Sequence, residues 1–460
     1  MTGIVIVIMY GLFLLGLICY QIRGRGVGSD SISRVILAGG KAKSSTLIFS
    51  VFAAWMWPTS VLGAVETYSM YGILGPISYV AAACVAFMFF VWVMNMIQTK
   101  IEGGRYFLDL ISQVHGDTKK LFYFIFAFIV PAYVLIEQAV GVAYVFRSLF
   151  GVDFKWTAFL SIIIAVIFVG ISGMEGLLRS EKITGICILI AFAFITGYFV
   201  NTDTSAGVVK EINAHEEWFN TGVMAASVRY FITAIVIAFS QLVFDPGYYL
   251  KGRLASSPRK MKMVFYMGGI VLWGGVSLVA SVYLGVASYT QDTEVMQLFT
   301  GIGSWMFGAV MLLIGVSTIS HYLMGWYGLF TEDLYIDYLR AEADEHQRIV
   351  FGRVLMTAGG IFCALIAISL ENISLLTIDV FCAIFFAAPC GPVLHACIST
   401  RKIRNGTSVI ATMAGIGCGL LIWIFFPIHG EYNHFLGVVG SLGVSIVCSE
   451  IGVRLSKKKE

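Results

Sequence analysis

Phe52-Ala53-Ala54-Trp55-Met56-Trp57-Pro58-Thr59-Ser60 lies in the middle of an apolar run, residues 45–68. The run is long enough to cross a bilayer, which takes about 20 residues of helix. Pro58 removes one backbone N–H and its ring clashes with the preceding turn. In hydrocarbon the carbonyls freed in this way need a partner. Here they are the carbonyls near Ala53 and Ala54, and Thr59 and Ser60 add hydroxyls beside them. Carbonyl and hydroxyl oxygens together suit a dehydrated alkali cation. A proline kink with no ligand is the plainer alternative.

Outward from this run the pattern repeats. Thirteen apolar runs are readable: 3–20, 45–68, 72–97, 120–148, 155–173, 182–201, 222–250, 262–288, 300–325, 350–370, 373–397, 406–427 and 434–453. An odd number puts the two ends on opposite sides. With the N-terminus outside, 26 of the 30 Lys and Arg fall on inner segments or their edges, among them Arg23, Lys100, Arg179, Lys251 and Arg353. The remaining four are Arg147, Lys155, Lys210 and Arg229. That bias sets the C-terminus inside. Lys457–Lys459 then reads as a cytoplasmic stop rather than a nucleic-acid patch. Only 12% of the 460 residues are charged and 58% are hydrophobic, against about 25% charged in a soluble domain. The first apolar run has no basic stretch before it, unlike a cleaved signal, so a permanent first span is expected. No soluble ATPase module and no phosphate loop is readable. The nine cysteines show no CxxC or metal spacing and read as small packing residues.

A second interruption, Phe244-Asp245-Pro246-Gly247, falls in run 222–250. The two broken runs open two sets of five, residues 45–201 and 222–397, which start on opposite sides of the membrane. Paired breaks in inverted repeats point to a central binding site. On this reading residues 1–460 form a single transporter domain. Residues 1–44 are an extra helix and inner loop, and 398–460 hold two further helices.

Ionisable groups at depth are costly and face a cavity or a partner. Asp245 is expected to contact a cationic or hydrogen-bonding solute, to pair with Lys251, or to cap its helix. Glu137 and Arg229 form a candidate pair. Glu66 and Asp379 lie near outer ends. The loop 202–221, with Asp203, Glu211, His215, Glu216 and Glu217, reads as a solvated cap. Gly315-Val316-Ser317-Thr318-Ile319-Ser320 interrupts run 300–325; hydroxyls bonding back to their own helix would account for it. His321 and His395 read as isolated caps at inner helix ends, and Glu332 to Glu345 as a solvated acidic helix. There is no HExxH and no Ser/His/Asp arrangement, so an enzyme is not expected.

Val316-Ser317-Thr318, followed by Leu329-Phe330-Thr331-Glu332-Asp333-Leu334-Tyr335, resembles a pattern of the sodium:solute symporter family. Ile36-Leu37-Ala38-Gly39-Gly40-Lys41 is similar to the segment before that family's first core helix, and Phe52 to Gly63 to its broken helix. Phe244 to Tyr249, continuing to Leu254-Ala255-Ser256-Ser257-Pro258, resembles the sixth-helix motif of its urea-transporter-like branch, and Arg401 to Gly417 its basic loop and Gly-rich helix. The resemblance covers nearly the whole chain. It implies a LeuT-like fold, with two inverted five-helix repeats and flanking helices. It also implies sodium-coupled uptake by alternating access. The implied sodium ligands are the carbonyls of Ala53, Met56 and Ile314 and the hydroxyls of Ser317 and Thr318. The family's acidic loop is matched only by Glu175 to Thr184, with the usual acid falling on Thr184. Its sugar-binding positions fall on Ser60, Tyr79 and Phe239, which argues against a sugar.

The expected protein is therefore an all-α, multi-pass protein of the cell membrane that carries a small organic solute with sodium. Trp55, Trp57, Phe244 and Asp245, with Ser60, Tyr79 and Phe239, are the candidate solute contacts. Pro58, Pro246 and Gly247 are the candidate gating breaks. No cofactor is expected beyond sodium as the coupling ion. The partners are the solute, sodium and the bilayer, with no nucleic acid; self-association is left open. A proton-coupled carrier and a transporter-like sensor without net transport are the alternatives.

Overall fold

Because proline has no amide hydrogen, a helix accommodates it best in its first turn. In the computed structural model the helix that opens at Ser44 stops at Trp55, and a new one starts at Pro58. Met56 and Trp57 between them are extended, and the two halves meet at 57°. The same device recurs after Val243, where a helix ends and another starts at Pro246.

The structure describes residues 2–24, 31–40, 42–116, 120–201, 219–339, 342, 344–371, 375–399, 406–426 and 431–457. The expectations placed on Lys210, on the acidic and histidine residues of loop 202–221, on Arg401–Asn405 and on Lys458 and Lys459 lie outside these residues, as does the side chain of Asp379. The helices are α1 (Thr2–Gly24), α2 (Ile32–Val35), α3 (Ser44–Trp55), α4 (Pro58–Tyr71), α5 (Leu74–Lys100), α6 (Phe107–His115), α7 (Lys120–Phe150), α8 (Phe154–Asn201), α9 (Thr221–Val243), α10 (Pro246–Arg253), α11 (Pro258–Phe265), α12 (Trp273–Thr290), α13 (Ile302–Leu329), α14 (Glu345–Ala367), α15 (Leu375–Ile398), α16 (Thr407–Phe425) and α17 (Glu431–Lys457). A π-helical segment, Tyr266–Leu272, joins α11 to α12, and another, Phe330–Leu339, extends α13. No strand occurs among the described residues.

Nine helices among the described residues are long and apolar enough to cross a membrane, or ten with the bent α3–α4 pair. One of them, α8, holds two of the expected runs. Gly173 divides it with φ +58°, and a Cβ there would lie 2.8 Å from the Val35 carbonyl oxygen. The break is thus a single residue. The segment Glu175 to Thr184, expected as a loop, is helical instead, because the helix is interrupted at Gly173 alone, a residue that takes positive φ without steric cost.

The chain divides into two compact units. The first comprises Met1–Pro76, Pro131–Trp218 and Pro246–Asn372. In it α8 packs against α1, α3, α13 and α14, while α10 lies on α13 and α12 on α4. The second comprises Ile77–Val130, Phe219–Asp245 and Ile373–Glu460. There α17 packs against α16, α15 and α9.

Two prolines interrupt α15 of the second unit, Pro389 and Pro392. Pro392 leaves the Ala388 carbonyl without its helical donor, and the Ser445 hydroxyl of α17 donates to it at 2.6 Å. Ser441 likewise donates to the Ile384 carbonyl at 2.7 Å. Gly391 allows this approach, since a Cβ on it would lie 2.6 Å from Ser445 Oγ. Replacing Ser445 by Ala should cost about 1 kcal/mol, because it strands a buried carbonyl. Thermal unfolding of purified Ser445→Ala beside wild type measures this; an unchanged midpoint would refute it. Outside the spans, α6 meets α15 through His115 Nε2, 3.4 Å from the Pro392 carbonyl oxygen. Burial, aided by nearby His395, pushes the His115 imidazole down to about 4, so it is neutral at pH 7.

Candidate functional site

Thr318, on α13, sends its Oγ1 to the two carbonyls that the α3–α4 break leaves open, 3.2 Å to Met56 O and 3.4 Å to Ala54 O. Ala54 O would have bonded the amide that Pro58 lacks. It also accepts Trp57 Nε1 at 2.9 Å. The neighbouring Ser317 hydroxyl is 3% exposed and has no hydrogen-bond partner among the described residues. Hydroxyls elsewhere in the chain do bond back to their own helix, as Ser281 does to Ser277 O and Ser161 to Thr157 O. Thr318 reaches across to α3 instead, and Ser317 does neither. Back-bonding therefore does not account for this pair. Ala53 and Ile314 are fully buried on the same two helices.

The break is wedged between α7 and α13. Gln138 Nε2 of α7 donates to Thr59 Oγ1 at 3.1 Å. Two glycines let the helices close in. A Cβ on Gly141 would meet Thr59 Cγ2 at 3.0 Å, and one on Gly315 would meet Val142 Cγ2 at 2.3 Å and Pro58 Cγ at 3.3 Å. Ser60, in the first turn of α4, is buried.

Aromatic rings cluster on this break. The Trp55 and Trp57 centroids are 4.6 Å apart; Trp55 is edge-on to Tyr248 and to Trp273, and Trp57 to Tyr322. Both indoles are almost fully buried. Four other candidates belong to the second unit. Phe239 is edge-on to Phe89, and Phe244 packs on Phe107 and Phe126. Asp245 is fully buried in the two-residue break before Pro246 and Gly247 of α10, and Tyr79 is half-buried on α5. Arg229, expected opposite Glu137, places its guanidinium 3.9 Å over the Tyr432 ring.

A buried charge cluster was not expected from sequence. Lys251 Nζ of α10 donates to Glu181 Oε1 of α8 at 2.8 Å and to Ser50 O of α3 at 3.1 Å. The Ser50 hydroxyl donates to Glu181 Oε2. His321 Nδ1 of α13 lies 3.9 Å from Glu181 Oε1, and Lys251, Glu181 and His321 are all fully buried. The reading of His321 as an inner helix cap is thus corrected. It sits in the interior of α13 with its ring 4.4 Å from that of Tyr248. Glu181 carried no signal because Arg179 and Lys182 flank it and mark the segment as a loop; only the packing of α8 against α3 turns it inward. The acidic segment after Phe330 is corrected in the same way. Glu332 is buried and takes a second NH group of Arg253 at 3.0 Å, Asp333 is fully buried, and Glu345 accepts the amide of Ile32 at 3.0 Å. Thr184 is also fully buried, in α8, and its hydroxyl has no hydrogen-bond partner among the described residues.

No protein-family model matches the chain. It is 21% identical over 396 residues to the urea-proton symporter DUR3 of Oryza sativa subsp. japonica, covering 75% of this chain and 54% of that protein. It is 20% identical over 430 residues to the urea active transporter of Saccharomyces cerevisiae, covering 84% and 58%. The chain thus spans little more than half the length of these two. Against the osmoregulated proline transporter OpuE of Bacillus subtilis it is 22% identical over 338 residues, covering 68% and 66%. Among solved structures, a Na+-coupled sialic acid symporter in a substrate-bound outward-open state superposes with TM-score 0.80 at 14% identity, over 99% of this chain and 98% of that one. The chain has the LeuT-like fold and is distantly similar in sequence to solute symporters. Mhp1, a nucleobase-cation-symport-1 family transporter in a closed conformation, shares the LeuT-like fold at TM-score 0.57 and 14% identity, over 94% of this chain and 97% of that one. The broken α3–α4 pair and the apolar helices are thus those of a multi-pass membrane protein with the LeuT-like fold.

Proposed function

We propose that the chain is a secondary transporter of the plasma membrane that couples sodium to the uptake of a small organic solute by alternating access. The observation that carries this reading is the Thr318 hydroxyl at the Met56 and Ala54 carbonyls, with the buried Ser317 hydroxyl beside it. Unwound carbonyls facing hydroxyls are the donor set that takes an alkali ion in this kind of site. Sodium would be held by the carbonyls of Ala53, Met56 and Ile314 and by Ser317 and Thr318. Its arrival would replace the Thr318 bonds with ion–oxygen contacts, drawing α3 and α13 together. Trp55, Trp57, Ser60, Tyr79, Phe239 and Asp245 would contact the solute, with Pro58, Pro246 and Gly247 as the points where helices bend.

The repeats proposed are 45–201 and 222–397 within one transporter spanning 1–460, with about thirteen crossings, the N-terminus outside and the C-terminus inside. The relatives' names make urea and proline the first solutes to test. Proton drive is the second reading, favoured by the rice relative's description as a urea-proton symporter. In proteoliposomes, an inward sodium gradient should accelerate uptake of labelled urea or proline, and an inward proton gradient in sodium-free buffer should not. The reverse result would replace sodium with protons as the driving ion, and ligand binding without uptake under either gradient would make the chain a sensor.

A further inference from the structure

The charge cluster reaches the two helices of the proposed sodium ligands through His321 on α13 and Ser50 on α3, each one turn from a ligand, while Glu181 and Lys251 come from α8 and α10. His321 follows Ser317 by four residues and Thr318 by three on α13, and Ser50 precedes Ala54 by four and Ala53 by three on α3. Residues at these spacings are neighbours on one helix face, about 5–6 Å apart at Cβ. The cluster holds one carboxylate and one ammonium, bonded at 2.8 Å, with the imidazole 3.9 Å from the carboxylate. All three groups are fully buried, so each change of charge is felt at low dielectric. Among the described residues, Lys251 and Tyr248 from α10, Ser50 from α3 and Tyr322 from α13 itself face the carboxylate or the imidazole.

We propose that Glu181, Lys251 and His321 form a proton-binding site that is antagonistic to sodium at the adjacent α3–α13 site. With His321 neutral, the Glu181–Lys251 pair carries no net charge. One proton taken up, on imidazole or carboxylate, makes the cluster singly positive, whichever atom holds it. That charge would disfavour a second cation at the α3–α13 site, which the cluster adjoins through Ser50 and His321. Histidine in water changes charge between pH 5 and 8, and the two pH values tested below span that range. By linkage, sodium binding expels the proton to the same extent that the proton weakens sodium. The inference rests on the sodium site proposed above.

The test is direct sodium binding to the purified full chain, with labelled sodium, at about pH 6 and pH 8. Wild type should bind sodium about tenfold more weakly at the acid pH. In weakly buffered solution with a pH-sensitive dye, adding sodium should release protons, a readout that requires no variant. His321→Gln should bind sodium at pH 8 and lose most of the pH dependence. A wild-type affinity that is equal at both pH values, without proton release, overturns the proton site while leaving the sodium site standing. So does an undiminished pH dependence in a folded His321→Gln. Absence of sodium binding at either pH overturns the sodium reading, and the linkage with it.

Discussion

Lys251→Met alone is expected to destabilise the protein by about 3–5 kcal/mol, and Glu181→Gln alone by a similar amount, whereas the double variant should lose far less than their sum. Both groups are fully buried and 2.8 Å apart. Removing one partner leaves an uncompensated charge where water cannot reach it; removing both leaves a neutral amide and a thioether of similar size. The amide that replaces the Glu181 carboxylate would still accept the Ser50 hydroxyl in the double variant. Helix α10 has only eight residues, too few to be stable by itself. It is held by its two cations, Lys251 to α8 and α3, and Arg253 to Glu332. Loss of Lys251 should therefore also loosen α10, visible as faster amide exchange over Pro246–Arg253. Thermal unfolding of the two single variants and the double variant forms a closed cycle. Additive losses, or single losses within experimental error of zero, would show that the pair is not coupled.

Ser317→Ala combined with Thr318→Ala should abolish the sodium stimulation of uptake, a loss of about tenfold or more in apparent sodium affinity, while the protein still reaches the membrane. Both hydroxyls are buried and neither supports its own helix, so the fold has little need of them. Thr318→Ser keeps the oxygen at the Met56 and Ala54 carbonyls and should retain most of the stimulation, which separates loss of a ligand from loss of packing. Uptake that stays equally sodium-dependent in the double alanine variant would remove these residues from the ion site.

Helix content and the positions of the breaks were legible because they depend on local chemistry. Pro58 and Pro246 cannot continue a helix, and apolar runs of twenty residues have no water-compatible alternative, so α3–α4 and α9–α10 fall where the prolines put them. The hydroxyl pair Ser317–Thr318 was likewise visible as a polar interruption. The sequence alone could not tell whether those hydroxyls bond back or reach across; Thr318 reaches Met56 because Gly141 and Gly315 admit the broken helix between α7 and α13.

Charge patterning failed where it assumed that charge means solvent. Lys251, Glu181 and Glu332 all sit in segments that read as inner loops, yet each is buried against a partner distant in sequence, 70 residues apart for Lys251 and Glu181 and 79 for Arg253 and Glu332. The run around Pro58 thus determined by itself that a helix breaks there, because proline's missing amide is a property of one residue. Only the tertiary structure decided what faces the break, with the Thr318 hydroxyl of α13 at the open carbonyls and a compensated charge cluster built on Ser50 and His321, one turn from it. Those contacts depend on which distant helices pack together, and no local pattern in the chain encodes that choice.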